Sequence, residues 1–539
     1  MSRLVFSALL VLTPVLATAQ EQPLAPLPPV LPRTHTPRPT TPAITAADLM
    51  TRLYIFADDS MQGREEGTRG DAKGTAYLAA EAKRIGLKPA GDSGTYFQNI
   101  PDPNCSPVVV DASMRIGQNQ LALAQDFLPI GTHSLNTSAL AVVYGGPADA
   151  TMTLTAQQAA GKLVVFTMPA SIPVDSSLPI PQIAGAAAVA LVVLDPLSPA
   201  NRAMILSRNL ALHPSSAYPV LLLSNSAAKQ LFGKELAAIS VGTTGQGVSV
   251  AYTFVASTRN VVGIIPGSDP ALRNEYVALG AHNDHLGWRP VSRWDHDSLR
   301  VLTHFASIKG ADTGGGNVMP TAEQIDSIKA ELAALRRVNP PRRDSIFNGA
   351  DDDGSGSVSL LEIAEQLAAM PIKPKRSILF VWHGSEEDGS PGGSDWFTAH
   401  PTVPRDSIVV QLNADMIGRG DASDIPGGGP NYVEVVGSRK LSTELGDLID
   451  RVNKEGRHNF EFDYVRGEEY YTRSDQYEYA KYGIPVAFFI TGLHPDYHQV
   501  TDEPQYIDYE KMARIASLIS DIAVHVANLD HRPVVDHHK

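Results

Sequence analysis

The sequence predicts an α/β protein: a mostly parallel, mixed central sheet with helices on both faces, plus a smaller inserted α/β unit. Three observations predict it. From Arg259 onward, short apolar strands alternate with helical stretches. Residues 377–382, Ser-Ile-Leu-Phe-Val-Trp, are apolar almost without a break, as a strand covered on both faces must be. Near the C-terminus Met512, Ile515, Ile519, Ile522 and Val526 recur at helical spacing and form one apolar face to lay on a sheet.

Residues 1–19 read as an export signal. Arg3 supplies a positive start, 4–15 an apolar core, and Ala17-Thr18-Ala19 a small-x-small cleavage site. That core is too short for a membrane span, and no cysteine near the cut suggests a lipid anchor. The expectation is an exported bacterial protein, periplasmic or secreted. Residues 20–43 are rich in Pro and Thr and read as an extended linker. A main domain is expected over 44–134 and 251–530, with a helix from about Gly70 that stops at Gly86.

Residues 135–250 differ in texture, being rich in Ala and Val and poor in charge. Short apolar strands at 140–144, 162–167, 189–194 and 220–223 alternate with Ala-rich helical stretches. This reads as a separate inserted α/β unit. In the main domain, strands are expected at 261–265, 276–280, 378–382, 408–413, 432–436 and 485–490. Helices follow Ser355 and cover 393–400 and 441–454, and a last one starts at Asp508. Residues 288–345 interrupt this pattern. They are polar, with a Gly314-Gly-Gly-Asn317 loop and one clear helix that Thr321 caps while Gln324 reaches back. They read as a decorated loop rather than a lid. Residues 531–539 form a polar tail.

The chain has 539 residues, 43% hydrophobic and 19% charged, as globular proteins of more than one domain do. A net charge of −14 without a basic stripe argues against a nucleic-acid partner. Cys105 is the only cysteine, which excludes an internal disulfide and a thiolate metal site.

The chemistry lies in a series of polar residues at the carboxyl ends of expected strands, where an open α/β sheet puts its ligands. His282 and Asp284 follow the 276–280 strand. Asp351-Asp352-Asp353-Gly-Ser-Gly356 leads into a helix. Glu386-Glu387 follows 378–382, Asp415 follows 408–413, and Tyr497-His498 comes after 485–490. Two imidazoles and three carboxylates, one of them shared, can hold two zinc ions. A fourth carboxylate remains to act as a base, and the Glu386-Glu387 doublet offers one ligand and one base. This is equipment for hydrolysing a peptide bond.

These segments resemble those of the M28 family of dizinc peptidases, the aminopeptidase S and aminopeptidase Y type. The resemblance runs from about residue 44 to 527 and includes Arg64 and Gly67-Thr68 in a GRxxGT segment. It implies a zinc-dependent exopeptidase fold, with 135–250 as a protease-associated domain. It further implies Asp352 as the bridging ligand, His282 and Asp415 completing one zinc site, and Glu387 and His498 completing the other. Glu386 would be the general base and Tyr497 a donor to the oxyanion. Asp284 would orient His282, Asp353 would shape the loop, and the Asp352–Asp353 peptide would be cis.

Two departures stand out. The doublet is followed by Asp388-Gly-Ser-Pro-Gly-Gly-Ser394 where relatives carry an apolar run, and the stretch from His282 to Asp352 is long. Several neighbours carry simpler readings. His285 is an outer or surface group, and His383 is structural despite its HxxE spacing with Glu386. Asp502 either contacts His498 or caps a turn. Ser474-Asp475 matches a pocket segment of the family. The expected activity is removal of N-terminal residues from peptide substrates. Three alternatives stay open: carboxypeptidase action on acidic dipeptides with Arg466 or Arg473 taking the carboxylate, glutaminyl cyclisation, and a non-catalytic receptor.

Overall fold

The computed structural model describes residues 31–537 except 103, 149–152, 170, 176, 210–215, 291–293, 307–320, 338–339 and 388–390. The expected export signal, residues 20–30 of the linker, the Gly314–Asn317 loop and part of the departure after Glu387 lie outside the described residues.

Alternation along the apolar strands builds two cores on one sheet. Val261, Leu279, Phe380 and Trp382 face one side, with helices Ala46–Phe56, Arg69–Ile85, Gly356–Ala369 and Tyr509–Asn528. Val262, Ala278, Leu379 and Val381 face the other, with Phe397 and Tyr479 from short helices. These strands are therefore mainly apolar, because their odd and even residues are both buried. Trp382, fully buried, also donates its indole N–H to the Ser357 carbonyl at 2.9 Å, tying strand to helix. Helix Arg69–Ile85 stops where expected, at Gly86 with φ +93°.

The spatial order is Lys88–Pro89, Arg259–Ile265, Ser377–His383, Tyr276–His282, Ile408–Ala414, Val486–Ile490, Tyr432–Val436 and Glu461–Asp463, with Phe97–Asn99 beside Arg259–Ile265. The four central strands from Ser377–His383 to Val486–Ile490 run parallel, so their carboxyl ends share one rim. The flanking pairs are antiparallel, apart from the outermost one. The sheet is mixed with a parallel centre.

A second, eight-stranded sheet has its own apolar layers on both faces. Its extent differs from the expected 135–250. Strand Val108–Ile116 pairs with Thr244–Val255, and Phe127–Ile130 pairs with Val220–Leu223. The unit thus begins near Val108 and ends near Val255. Its first strand alternates buried and exposed residues along much of its length and includes Asp111 and Arg115, so it lacks the continuous apolar signature that marks the others.

The 288–345 segment is rooted by a two-stranded ribbon, Gly287–Trp288 against Ile346–Phe347. It carries helix Ala322–Leu335 with the expected Thr321/Gln324 capping box, and a helix that was not expected, His296–Ala306.

Glu434 is buried inside strand Tyr432–Val436. Its Oε1 accepts from the Tyr432 hydroxyl at 2.7 Å, while Oε2 finds no donor among the described residues. Burial pushes its carboxyl up to about 7. A raised acid is bound as the protonated form in the folded state, so its contribution is fully present below the unfolded value of 4.5 and is lost as pH rises through 7. Glu434→Gln should therefore raise the thermal midpoint at pH 8, by the equivalent of at most about 3 kcal/mol, and lose that advantage near pH 4.5. Melting curves for both proteins across this range check the sign.

Candidate metal centre

The parallel centre of the sheet delivers its strand ends to one place. His282 closes strand Tyr276–His282, Glu386 and Glu387 follow Ser377–His383, and Asp415 follows Ile408–Ala414 directly. Asp352 lies in the turn Ala350–Ser355 ahead of helix Gly356–Ala369, and His498 lies in the long loop after Val486–Ile490. The structure brings all of them to one rim.

Asp352 sits between the two imidazoles. Its Oδ1 lies 3.1 Å from His282 Nε2 and its Oδ2 lies 3.1 Å from His498 Nε2. On one side Asp415 Oδ1 is 3.7 Å and Glu386 Oε2 3.9 Å from His282 Nε2. On the other side Glu387 Oε2 is 3.0 Å from His498 Nε2. The Asp352–Asp353 peptide is cis, as the resemblance implies.

Main-chain amides and neighbouring side chains hold this arrangement. Asp353 Oδ2 accepts the His282 amide at 3.0 Å, and its Oδ1 accepts those of Gly356 at 2.9 Å and Met416 at 3.3 Å, so it ties two strand ends to the start of helix Gly356–Ala369. The Ser474 hydroxyl donates to Asp415 Oδ2 at 2.7 Å, giving the Ser474-Asp475 segment a definite task. His383 lies 3.2 Å from Asp475 Oδ2 and 3.0 Å from the Tyr479 hydroxyl, wholly buried, in the structural place expected for it. Tyr497 lines the cleft and accepts from Arg473 at 3.3 Å.

Three placements differ from the sequence reading. The Asp284 carboxylate does not reach His282: Oδ1 to Nδ1 is 3.7 Å, and the Asp284 main-chain carbonyl meets Nδ1 at 3.2 Å instead. Its carboxylate accepts the Glu386 and Glu387 amides at 3.0 and 3.2 Å, because the chain turns past the strand end and aims it at the doublet. Asp502 does not touch His498; the turn it holds is a remote one, where it accepts the Asp351 and Asp352 amides at 3.0 and 3.1 Å. His285 is buried, with Nδ1 2.6 Å from Glu387 Oε1 and 3.7 Å from Asp352 Oδ2. These three residues have ligand-capable atoms grouped together, but His285 closely approaches Glu387 alone, whereas His498 Nε2 lies within 3.1 Å of both Asp352 and Glu387. We therefore read His285 as orienting Glu387, and His498, whose Nε2 reaches both carboxylates, as the ligand.

Sequence reasoning assigned no task to Arg64 or His494. Arg64 is fully buried and donates to the carbonyls of Phe56 at 3.0 Å, Asn283 at 2.9 Å, Asn348 at 2.7 Å and Gly349 at 2.9 Å. It thus ties the loops beside His282 and Asp352 to each other. His494 Nε2 lies 3.2 Å from Asp351 Oδ2.

The residues fit a bound metal. The donors are imidazole and carboxylate, the set zinc accepts. Asp352 Oδ2 and Asp415 Oδ1 are buried oxygens with no hydrogen-bond donor of proper geometry among the described residues. Burial holds the Glu386 carboxyl well above the glutamate range against the pull of His282, with Glu387 and Asp415 adding to the rise. Burial also opposes ionisation of Asp352, yet His282 and His498 bring it well below the aspartate range. So many acidic groups at one rim call for cations.

Comparison with known proteins follows the same lines. Residues 260–523 match the model of peptidase family M28. A probable leucine aminopeptidase of Trichophyton verrucosum is 26% identical over 217 residues, 38% of this chain and 55% of that protein. Aminopeptidase Y of Saccharomyces cerevisiae is 27% identical over 194 residues, 32% of each chain. The chain spans about half the length of the first curated relatives it matches. Among solved structures, an aminopeptidase from Aneurinibacillus sp. strain AM-1 aligns over 92% of this chain and 96% of its own at 17% identity and a TM-score of 0.42.

Asp502→Asn should leave the fold intact and weaken zinc binding about 10- to 100-fold, because the Asp351 and Asp352 amides lose their anionic acceptor. Competition with a fluorescent chelator measures it.

Proposed function

We infer, from the match of residues 260–523 to the model of peptidase family M28 together with the rim geometry, that the protein is an exported zinc aminopeptidase that removes N-terminal residues from peptides. The observation that carries this reading is Asp352, one oxygen toward each imidazole at 3.1 Å. His282, Asp352 and Asp415 would hold one zinc ion, and Asp352, Glu387 and His498 a second. Zinc held there lowers the pKa of a water and polarises a peptide carbonyl.

The chain's own residues do the rest. Glu386, partly open to the cleft, takes the proton of the attacking water. The new C–O bond forms as that water attacks; Glu386 then returns the proton to the departing amine, and the scissile C–N bond breaks. The Tyr497 hydroxyl faces the cleft and donates to the oxygen that becomes negative.

The cleft is lined beside the ligands by Met416, Tyr470, Phe488, Ile490 and Leu493. Those walls favour an apolar first residue, consistent with relatives named leucine aminopeptidases. Arg473 also lines the cleft, which keeps carboxypeptidase action as the second reading, whereas Arg466 is engaged with the Pro426 carbonyl. Residues 108–255 would be the protease-associated domain. No helix among the described residues is long and apolar enough to cross a membrane.

Purified protein should contain two zinc ions per chain by elemental analysis; a value of one overturns the paired scheme. Glu386→Gln should lower kcat at least 1,000-fold while zinc content stays at the parent value. Digestion of peptides with free and acetylated N-termini should release only the first residue, and only from the free form. Release from the carboxyl end would favour the second reading.

A further inference from the structure

We propose that the 288–345 segment is a brace for the loop that carries Tyr497 and His498, with Arg300, His296 and Arg342 as its positioning residues. This rests on the reading of His498 as a zinc ligand and adds to it the device that holds that ligand.

His498 has φ +56°, a left-handed conformation that a residue with a side chain keeps only where its surroundings enforce it. It belongs to no helix or strand; the chain between Ile490 and Tyr509 is a loop with one short 3₁₀ turn. Two acids flank it in that loop, Asp496 and Glu503, and the inserted segment supplies cations to both. Arg300 donates from Nε to Asp496 Oδ2 at 3.3 Å. His296 Nε2 lies 2.9 Å from Glu503 Oε2, and the Arg342 guanidinium pairs with the same carboxylate. The Arg300 guanidinium also covers the Tyr506 ring at 3.9 Å, with the His296 ring stacked against it. Arg300 and His296 are buried, so these are packed contacts rather than surface pairs.

The segment is itself firmly tied. The His296 amide donates to the Arg342 carbonyl at 2.8 Å, and Arg336 joins the two helices through Asp295 at 2.7 Å. The Gly287–Trp288 ribbon closes its neck. By contrast, His282 and Asp415 are held from the sheet side, through Asp353 and Ser474. The brace therefore acts on one half of the metal centre. Asp496 also has Arg419, at 3.1 Å, and Glu503 also has His296, so the test removes both of the inserted segment's arginines at once.

The double variant Arg300→Met/Arg342→Met, in the full chain, is titrated with zinc against a competing chelator alongside His498→Ala and His282→Ala. The variant should weaken, about tenfold or more, only the zinc equivalent that His498→Ala abolishes. The equivalent that His282→Ala abolishes should keep its parent affinity. Arg300→Lys/Arg342→Lys should recover most of the loss, and circular dichroism should show an intact fold. Equal weakening of both equivalents, or none, overturns the brace. A parent protein that binds fewer than two zinc ions overturns the underlying reading of the site instead.

Discussion

Gathering Asp284, Asp352, Asp353, Glu386, Glu387 and Asp415 at one largely buried rim sets like charges against each other where water screens them least. Much of the surrounding architecture answers that repulsion. Main-chain amides are turned inward onto the acids: those of His282, Gly356 and Met416 onto Asp353, and those of Glu386 and Glu387 onto Asp284. Arg64 lies behind them, a cation whose side-chain hydrogen bonds all go to carbonyls, so that its field serves several carboxylates without pairing with any one. Imidazoles at 3.1 Å on both sides of Asp352 complete the balance.

The same logic continues outward in layers. Asp502, which holds the Asp352 turn, belongs to the loop that carries His498, so one loop serves both ligands. That loop in turn leans on Arg419 from within the main domain and on the 288–345 helices from outside. A mixed sheet with a parallel centre makes this possible, since only parallel neighbours bring successive carboxyl ends to a common rim.

Strand positions and the principal ligand-type residues were legible because residue type and place coincide: apolar runs end in His282, Glu386-Glu387 and Asp415, and chain direction alone sends those ends to one edge. What stayed illegible depends on partners remote in sequence or on main-chain atoms. Arg64 recognises carbonyls, which carry no residue-type signal. Asp502 lies 150 residues from the Asp352 amide it accepts. Asp284 is two residues from His282, close enough to suggest a pair, but the turn after the strand redirects it. The second unit's first strand was passed over because its half-exposed alternation hides it among loops.

The bonds made by Arg64 also order events in time. Its carbonyl partners stand 8, 219, 284 and 285 positions along the chain, and the last imidazole, His498, emerges later still. A ribosome must therefore deliver nearly the entire polypeptide before the cleft can exist.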